Sequence, residues 1–533
     1  MGIRSFLQRY FFERSYIAVQ VRAQADPAAP LADARDRLAA QLAAFAEATA
    51  DAPTGISLEG RVERGGMLAG LPAERLLALL DEGALTSEAL VRHYLHRIRK
   101  TGGGAGVLVS LSPHALDEAQ AADRQRAART TDAARTAQPL LGLPILLKDN
   151  IATGDGVPTT AGAAFLADAA ADRDATLTAR LRAAGAIVLG KANLTEWANF
   201  TARTMPNGWS ALGGQTPHPD GRFDVGGSSS GSCVAVRADV DYAPWSFGTE
   251  TTGSLVYPAS AHGVVTLKPT HGLISRDRIV PISAALDTAG PVARTVRDLA
   301  LLLEVVAGED AHDAATAGFT ADRYRAYCTA DALRGARIGL VRGLHIDQHP
   351  FERTGDGPAW ERLRAALAAL GADAFEVAFE EGPPDNKALM LGGFAHDLAA
   401  YGRAIGHDFT LDGVIAYNTA TPGAIPYGHD RLQAAAAAHN TPEETARLAR
   451  QVRHDATTAL ERVFTANRCD ALLTLSHYLS IFHACSGWPA LNQPAGKRGT
   501  GERVGATWVG RWGEDARIIG YAHALEAQLG SPS

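Results

Sequence analysis

Lys148 closes the apolar run 143–147 (LPILL). Burial disfavours the charged form of an amine, so a lysine ending a buried strand is a usable general base. The same residue also fits a strand end reaching solvent. A second segment, VGGSSSGS at 225–232, sets three hydroxyls among Gly226, Gly227 and Gly231, residues that tolerate backbone conformations others resist. It reads as a flexible Gly/Ser linker, as an anion-binding nest, or as a G-x-S-x-G elbow over 227–231 with Ser229 as nucleophile. The elbow needs a strand just before it, and the preceding PHPDGRFDV is polar and turn-like. A third segment, GTETTGSLVYPA at 248–259, brackets a polar turn with Gly248 and Gly253 and ends it in Ser254. Thr251, Thr252 and Gly253 could aim backbone N–H groups at one point, as an oxyanion requires. A plain turn between strands has the same composition.

These residues need elements to hold them. Leu76, Leu77 and Leu80 recur at helical spacing within 71–100, and Thr86-Ser87 caps a second helix with Leu90, Val91, Tyr94 and Leu95 on one face. An alanine-rich helix over 115–137 leads to the strand-like run 140–150. The helix TLTARLRAAGA and the strand IVLG repeat that alternation, which argues for α/β architecture. Alanine-rich helical patterns dominate 330–470, and a strand pattern returns at 470–475. Residues 1–66 differ in character: an aromatic-rich start, an amphipathic stretch near 31–50 and a glycine-containing joint. This extension has two surfaces open to it, the body or a second copy of the chain in a homodimer.

Composition removes several function classes. Of 533 residues, 46% are hydrophobic and 20% charged, the balance of a globular chain with a large core. The net charge of −7, with no basic block, disfavours nucleic acid as a partner. Cys233, Cys328, Cys469 and Cys485 lack C-x-x-C spacing and read as free thiols of a reducing, cytoplasmic setting. The N-terminus is broken by Arg4, Arg9, Glu13 and Arg14, so no signal-peptide core is expected. No apolar run reaches 18 residues, so no membrane span is expected either. His93 and His96, and His477 and His483, offer too few converging ligands for a metal. No Gly-rich dinucleotide fingerprint follows a strand.

In order and content the three segments resemble the amidase signature family. The matching text is GLPILLKDNI, TTAG (159–162), AGAIVLGKANLTEWANF (184–200), GGSSSGS, GTETTGS, LKPTHGLISR (267–276) and DTAGPVARTVRDLALLLEVVAG (287–308), with SGWPALNQPAG (486–496) as a closing strand segment. The resemblance spans 67–528, and GKANLTEWANF, GWSALGGQT and GGSSSGS are most similar to the peptide-amidase-like branch.

The resemblance implies an α/β/α sandwich with a mixed central sheet, a partly helical N-terminal extension (1–66) and an amidase domain (67–528). Within that domain the core motifs lie at 140–308 and a helical cap at about 330–470. It implies a Ser–cis-Ser–Lys set in which Lys148 is the base, Ser228 the bridging serine after a cis peptide, and Ser254 the nucleophile. The oxyanion donors would be the N–H groups of Thr251, Thr252, Gly253 and Ser254. The expected activity is hydrolysis of a linear amide, small or peptidyl, through an acyl-enzyme on Ser254, without metal or organic cofactor. Ser229, Trp209, Gln215, Trp245, Leu286 and Trp488 are the expected substrate contacts, although each tryptophan also suits core packing. An acyl transferase using the same acyl-enzyme and a non-catalytic binding protein on the same fold are the alternatives. The sequence departs from the family in several places. Ser228 and Ser254 stand 26 residues apart, two more than the pattern, with the extra pair near Asp241-Tyr242. Thr252 replaces Gly or Asp, Leu286 replaces a polar residue, and His262 and Thr266 replace Asn and Gly. These changes spare the Ser–Ser–Lys set and bear on the substrate pocket.

Overall fold

The computed structural model describes residues 27–45, 68–102, 104–129, 131–346, 349–351, 355–438 and 440–530. Its strands are β1 (Leu108–Leu111), β2 (Pro144–Lys148), β3 (Ile187–Ala192), β4 (Trp209–Ser210), β5 (Gly214–Gln215), β6 (Trp245–Glu250), β7 (Val265–Lys268) and β8 (Thr288–Ala293). They continue as β9 (Arg337–Leu340), β10 (Leu344–Ile346), β11 (His349–Phe351), β12 (Asp373–Glu376), β13 (Ala471–Leu475), β14 (Ala490–Lys497) and β15 (Arg503–Val509). Eleven of them form one mixed sheet in the order β1-β3-β2-β6-β8-β7-β14-β15-β13-β9-β12. β4 pairs with β5, and β10 with β11, as small separate ribbons.

The middle of the sheet positions the site. β2 runs parallel to both β3 and β6. Strands with neighbours on both sides and helices above read as continuous apolar runs. Every residue of PILLK is buried, and Pro144 sits at the strand's first position, where its missing N–H costs least. Ile145, Leu146 and Leu147 are fully buried, each contributing roughly 1.5–3 kcal/mol. Two helix layers pack on the sheet. One holds Ser230–Val236 and Val256–His262, and the other Val296–Val306, Gly357–Ala369 and Asp515–Leu529. This is the α/β/α arrangement the sequence implied.

Two sequence expectations need correction. The stretch 330–470 is not a purely helical cap, since β9 and β12 lie within it and pair in parallel at one end of the sheet. These strands are only four residues long, and the pattern of the longer alanine-rich helices around them masks them. The helix expected over 115–137 is two, Ala115–Ala127 and Asp132–Ala137, with a break between. Of the extension, the described part is the helix Ala32–Ala44 and the residues beside it. It lies on the body. Gln41 Oε1 accepts from the Leu111 N–H of edge strand β1 at 2.9 Å, and Trp209 Nε1 donates to Ala28 O at 2.8 Å. The 66/67 boundary and residues 1–26 and 46–66 lie outside the described residues.

Asp241, near which the sequence expects the extra pair, has a structural role. Asp241 is fully buried at φ 57° and accepts from Gly70 N at 3.3 Å and Arg294 Nη2 at 2.5 Å. Its other oxygen lies 3.1 Å from His93 Nε2. The anion therefore ties the start of the body to the connection before β6.

Glycine in GGSSSGS serves close approach more than torsional freedom. Only Gly226 takes a left-handed φ, at +67°. A Cβ on Gly231 would lie 2.4 Å from Val107 O and 2.6 Å from Asn193 O. Both obstacles are backbone, so the helix Ser230–Val236 could not stay seated. Gly231→Ala should destabilise the fold by about 3 kcal/mol, read as a lowered midpoint in chemical denaturation. A midpoint equal to wild type would contradict this packing.

Candidate active site

The end of β2 carries Lys148 into a pocket of hydroxyls. Lys148 Nζ lies 2.8 Å from Ser228 Oγ, 3.1 Å from Ser229 Oγ, 2.8 Å from Thr249 Oγ1 and 3.2 Å from Thr249 O. Lys148, Ser228 and Ser229 are all fully buried. Burial takes the amine's charged form out of water, and the charges of Asp287 and Glu250 offset this only partly. The Lys148 pKa is pushed down from the usual lysine range to about 7.

The serine loop is held from several sides. Ser228 O accepts from Thr195 N at 3.0 Å, and Asp224 accepts from Gly226 N at 2.7 Å and Asn207 Nδ2 at 3.1 Å. His262 Nε2 meets Val225 O at 2.8 Å, and Thr266 Oγ1 donates to Pro291 O at 2.8 Å. These two departures from the family pattern therefore brace the loop and the sheet beneath the site. The peptide between Gly227 and Ser228 is cis.

Ser229 is spent on structure. Its hydroxyl donates to Thr249 O at 3.0 Å and accepts from Thr249 N at 3.2 Å and from Lys148. Before it lie bends and coil, with no strand among residues 216–229. The elbow reading thus lacks both its strand and an accessible hydroxyl.

The turn after β6 supplies the third element. Gly253 takes φ +82°, a left-handed conformation that favours glycine, and Ser254 follows. Ser254 is 8% exposed while Ser228 is 0%, so Ser254 is the nearer of the two to solvent. Ser229 N donates to Ser254 O at 3.1 Å, which fixes one loop against the other. Glu250 accepts from Leu255 N at 2.7 Å and Val256 N at 3.1 Å, and the Gly253 N–H faces the same carboxylate. Among the described residues the N–H groups of Thr251, Thr252 and Ser254 make no backbone–backbone hydrogen bond. Thr251 Oγ1 donates to Asp287 Oδ1 at 2.5 Å. The Thr252 hydroxyl lies 3.4 Å from Asn386 Nδ2, at the start of the helix Lys387–Ala404.

The expected substrate contacts scatter. Trp209 is buried with Met205 and Ala424 and packs edge-on against Tyr427. Gln215 Nε2 donates to Asn207 O at 2.7 Å. Trp245 begins β6, at the opposite end of the strand from Thr249. Trp488 packs on Phe464, and Leu286 is buried with Leu389, Val452 and Cys485, one residue from Asp287. Of these six residues, Ser229 touches Lys148, and Leu286 is next in sequence to Asp287. Sequence reading missed Asn150, Thr249 and Asp287. All three stand inside quoted motifs, at KDN, GTETTGS and DTAG, where their polarity at strand ends was the available signal.

A pocket that joins a buried amine, hydroxyls and a turn with open N–H groups holds the kinds of group that amide cleavage uses. The amidase family profile matches residues 89–477, and the chain belongs to the amidase family. It is an amide-hydrolysing enzyme. It is 34% identical to a probable amidase of Arabidopsis thaliana over 468 residues, 85% of this chain and 89% of that protein. Its fold matches the crystal structure of an amidase family protein from Bacillus anthracis with TM-score 0.84 and 31% identity, covering 95% of this chain and 99% of the other. It also matches the native peptide amidase of Stenotrophomonas maltophilia with TM-score 0.77 and 35% identity, covering 86% and 96% of the two chains. Among the described residues no helix is long and apolar enough to cross a membrane.

The depressed lysine has a thermodynamic signature. Between about pH 7 and the ordinary lysine value of about 10.4, the unfolded chain binds a proton at Lys148 that the fold does not. Stability therefore rises with pH across that window, by up to roughly 1.4 kcal/mol per pH unit. Lys191 and Lys268, each lowered by burial to about 8, act in the same direction, so denaturation across this range should show a steeper rise in wild type than in Lys148→Met. Parallel curves would place the lysine in the charged form.

Proposed function

We propose that Ser254 is the nucleophile of an acyl-enzyme mechanism, with Ser228 as the bridging hydroxyl and Lys148 as the base. The observation that carries this reading is the 2.8 Å contact of a buried, easily deprotonated Lys148 Nζ with Ser228 Oγ. Neutral Lys148 accepts the Ser228 proton while Ser228 takes that of Ser254, and Ser254 Oγ attacks the amide carbonyl. The new oxyanion meets N–H groups of the 251–254 turn, of which Thr251, Thr252 and Ser254 are the open donors and Gly253 is shared with Glu250. The relay then protonates the leaving amine, and water releases the acyl group.

The substrate class is a linear amide, small or peptidyl. The half-buried Thr252 beside Asn386 narrows the acyl side relative to a glycine at that place. Transfer of the acyl group to an amine is the second reading, and the same intermediate serves both.

Ser254→Ala should abolish turnover of peptide C-terminal amides and small aliphatic amides. Ser229→Ala should lower the rate roughly tenfold to a hundredfold by loosening Lys148, while leaving Ser254 reactive. Loss confined to Ser229→Ala would contradict the assignment. The rate should rise as pH passes through about 7, the Lys148 value, and Lys148→Ala should flatten that rise. Added hydroxylamine should divert the acyl group to a hydroxamate without changing acylation. No hydroxamate at any concentration would argue against a covalent intermediate.

A further inference from the structure

A cavity of about 10 Å³ adjoins the lysine pocket, lined among others by Asn150, Thr249, Thr251, Val280, Asp287 and Thr288. That is room for one water. Asn150 and Thr288 are each 2% exposed. Among the described residues Asn150 Oδ1 and Thr288 Oγ1 have no hydrogen-bond partner. A buried polar atom left unpaired costs about 1–3 kcal/mol. Both atoms belong to residues that line this one water-sized space, so a single partner there would serve the two of them.

The hydroxyl protons can be followed. Asn150 Nδ2 donates to Thr249 Oγ1 at 3.0 Å and to Val280 O at 3.3 Å. Turning the amide over would set its oxygen against the Val280 carbonyl, so its orientation is fixed. Thr249 Oγ1 therefore accepts from Asn150, and its own proton is free to be donated. It has Lys148 Nζ at 2.8 Å on one side and the cavity on the other. When Lys148 is an ammonium it donates to Thr249, whose proton must then turn to the cavity. Asp287 stands on the same cavity, accepting from Thr251 Oγ1 at 2.5 Å, Ile282 N at 2.8 Å and Ser283 N at 2.9 Å.

We propose that this cavity is a one-water site through which Lys148 exchanges its proton with Asp287, by way of Thr249. Lys148 Nζ gives a proton to Thr249 Oγ1 as Thr249 passes its own to the water. The water in turn passes one of its protons to an Asp287 carboxylate oxygen. The ammonium becomes an amine and the carboxylate an acid, while threonine and water keep their composition. Burial raises Asp287 and lowers Lys148, which brings the proton affinities of the two groups toward one another. Glu250 and Cys233 also face Lys148, and Asp397 also faces Asp287. Arg276, another wall of the cavity, pairs with Asp313 and also faces Asp287 and Asp397.

This inference rests on Lys148 being the base, and the test separates the two. Labelling of Ser254 in the full-length protein by a fluorophosphonate, read by intact mass across pH, gives a rate that needs no knowledge of the substrate. Asp287→Asn should move the midpoint of the rising limb about one pH unit lower, because a negative charge favouring the ammonium is gone. Thr249→Val should slow labelling about tenfold, and Thr249→Ser should restore it. A crystal structure at high resolution should show one ordered water within hydrogen-bond reach of Asn150 Oδ1 and Thr288 Oγ1, a readout independent of whether any variant folds. An unmoved limb in Asp287→Asn, a Thr249→Ser variant as slow as Thr249→Val, or an empty cavity would each overturn the proton route. A Lys148→Ala variant with wild-type rate and pH profile would instead sink the base assignment itself.

Discussion

An amine with no access to solvent must find its partners inside the protein or give up its charge. Lys148 does some of each. Four oxygen atoms from Ser228, Ser229 and Thr249 surround Nζ within 3.2 Å, and its pKa falls to about 7. Those partners come from two parts of the chain, the serine loop and β6. The parallel register of β2 and β6 pairs Leu147 with Phe247 and so brings Thr249 beside the lysine. The helix Ser230–Val236 sits close enough to carry the serines only because Gly231 has no side chain against Val107 O and Asn193 O. Loosening any of these would change how much water the amine sees, and with it the amine's basicity.

The turn after β6 hangs from the same frame. Ser229 N holds Ser254 O, Glu250 holds Leu255 N and Val256 N, and Asp287 holds the Thr251 hydroxyl. Two carboxylates thus shape the segment in which donors for an oxyanion would have to be rigid before the reaction begins. Both are buried and raised in pKa, so the turn and the lysine share one electrostatic environment. Lysine and turn cannot be tuned separately.

Much of this was legible in the sequence because a long ordered set of motifs carried it. The continuous apolar run before Lys148 marked a strand flanked on both sides, and the cis peptide before Ser228 lies where the resemblance put it. Side chains whose role depends on packing were not legible. Trp209, Trp245 and Trp488 are apolar and large, features that suit a pocket wall and a core equally, and the fold puts all three in the core. The strands β9 and β12 escaped because four residues carry too little alternation beside helices of ten to twenty-six residues. Thr249 and Asp287 escaped for another reason. A hydroxyl or carboxylate at the end of a strand looks the same in sequence whether it meets water or a buried amine.

The central claim is that the fold holds Lys148 ready to lose its proton near neutrality. It is tested most directly by heteronuclear NMR titration of the lysine side chains, with the Lys148 signal assigned by its disappearance in Lys148→Met. The structure predicts a titration midpoint at about 7 for that one signal. A midpoint in the ordinary lysine range of about 10.4 would show that the amine stays charged in the fold, and would contradict its role as the base.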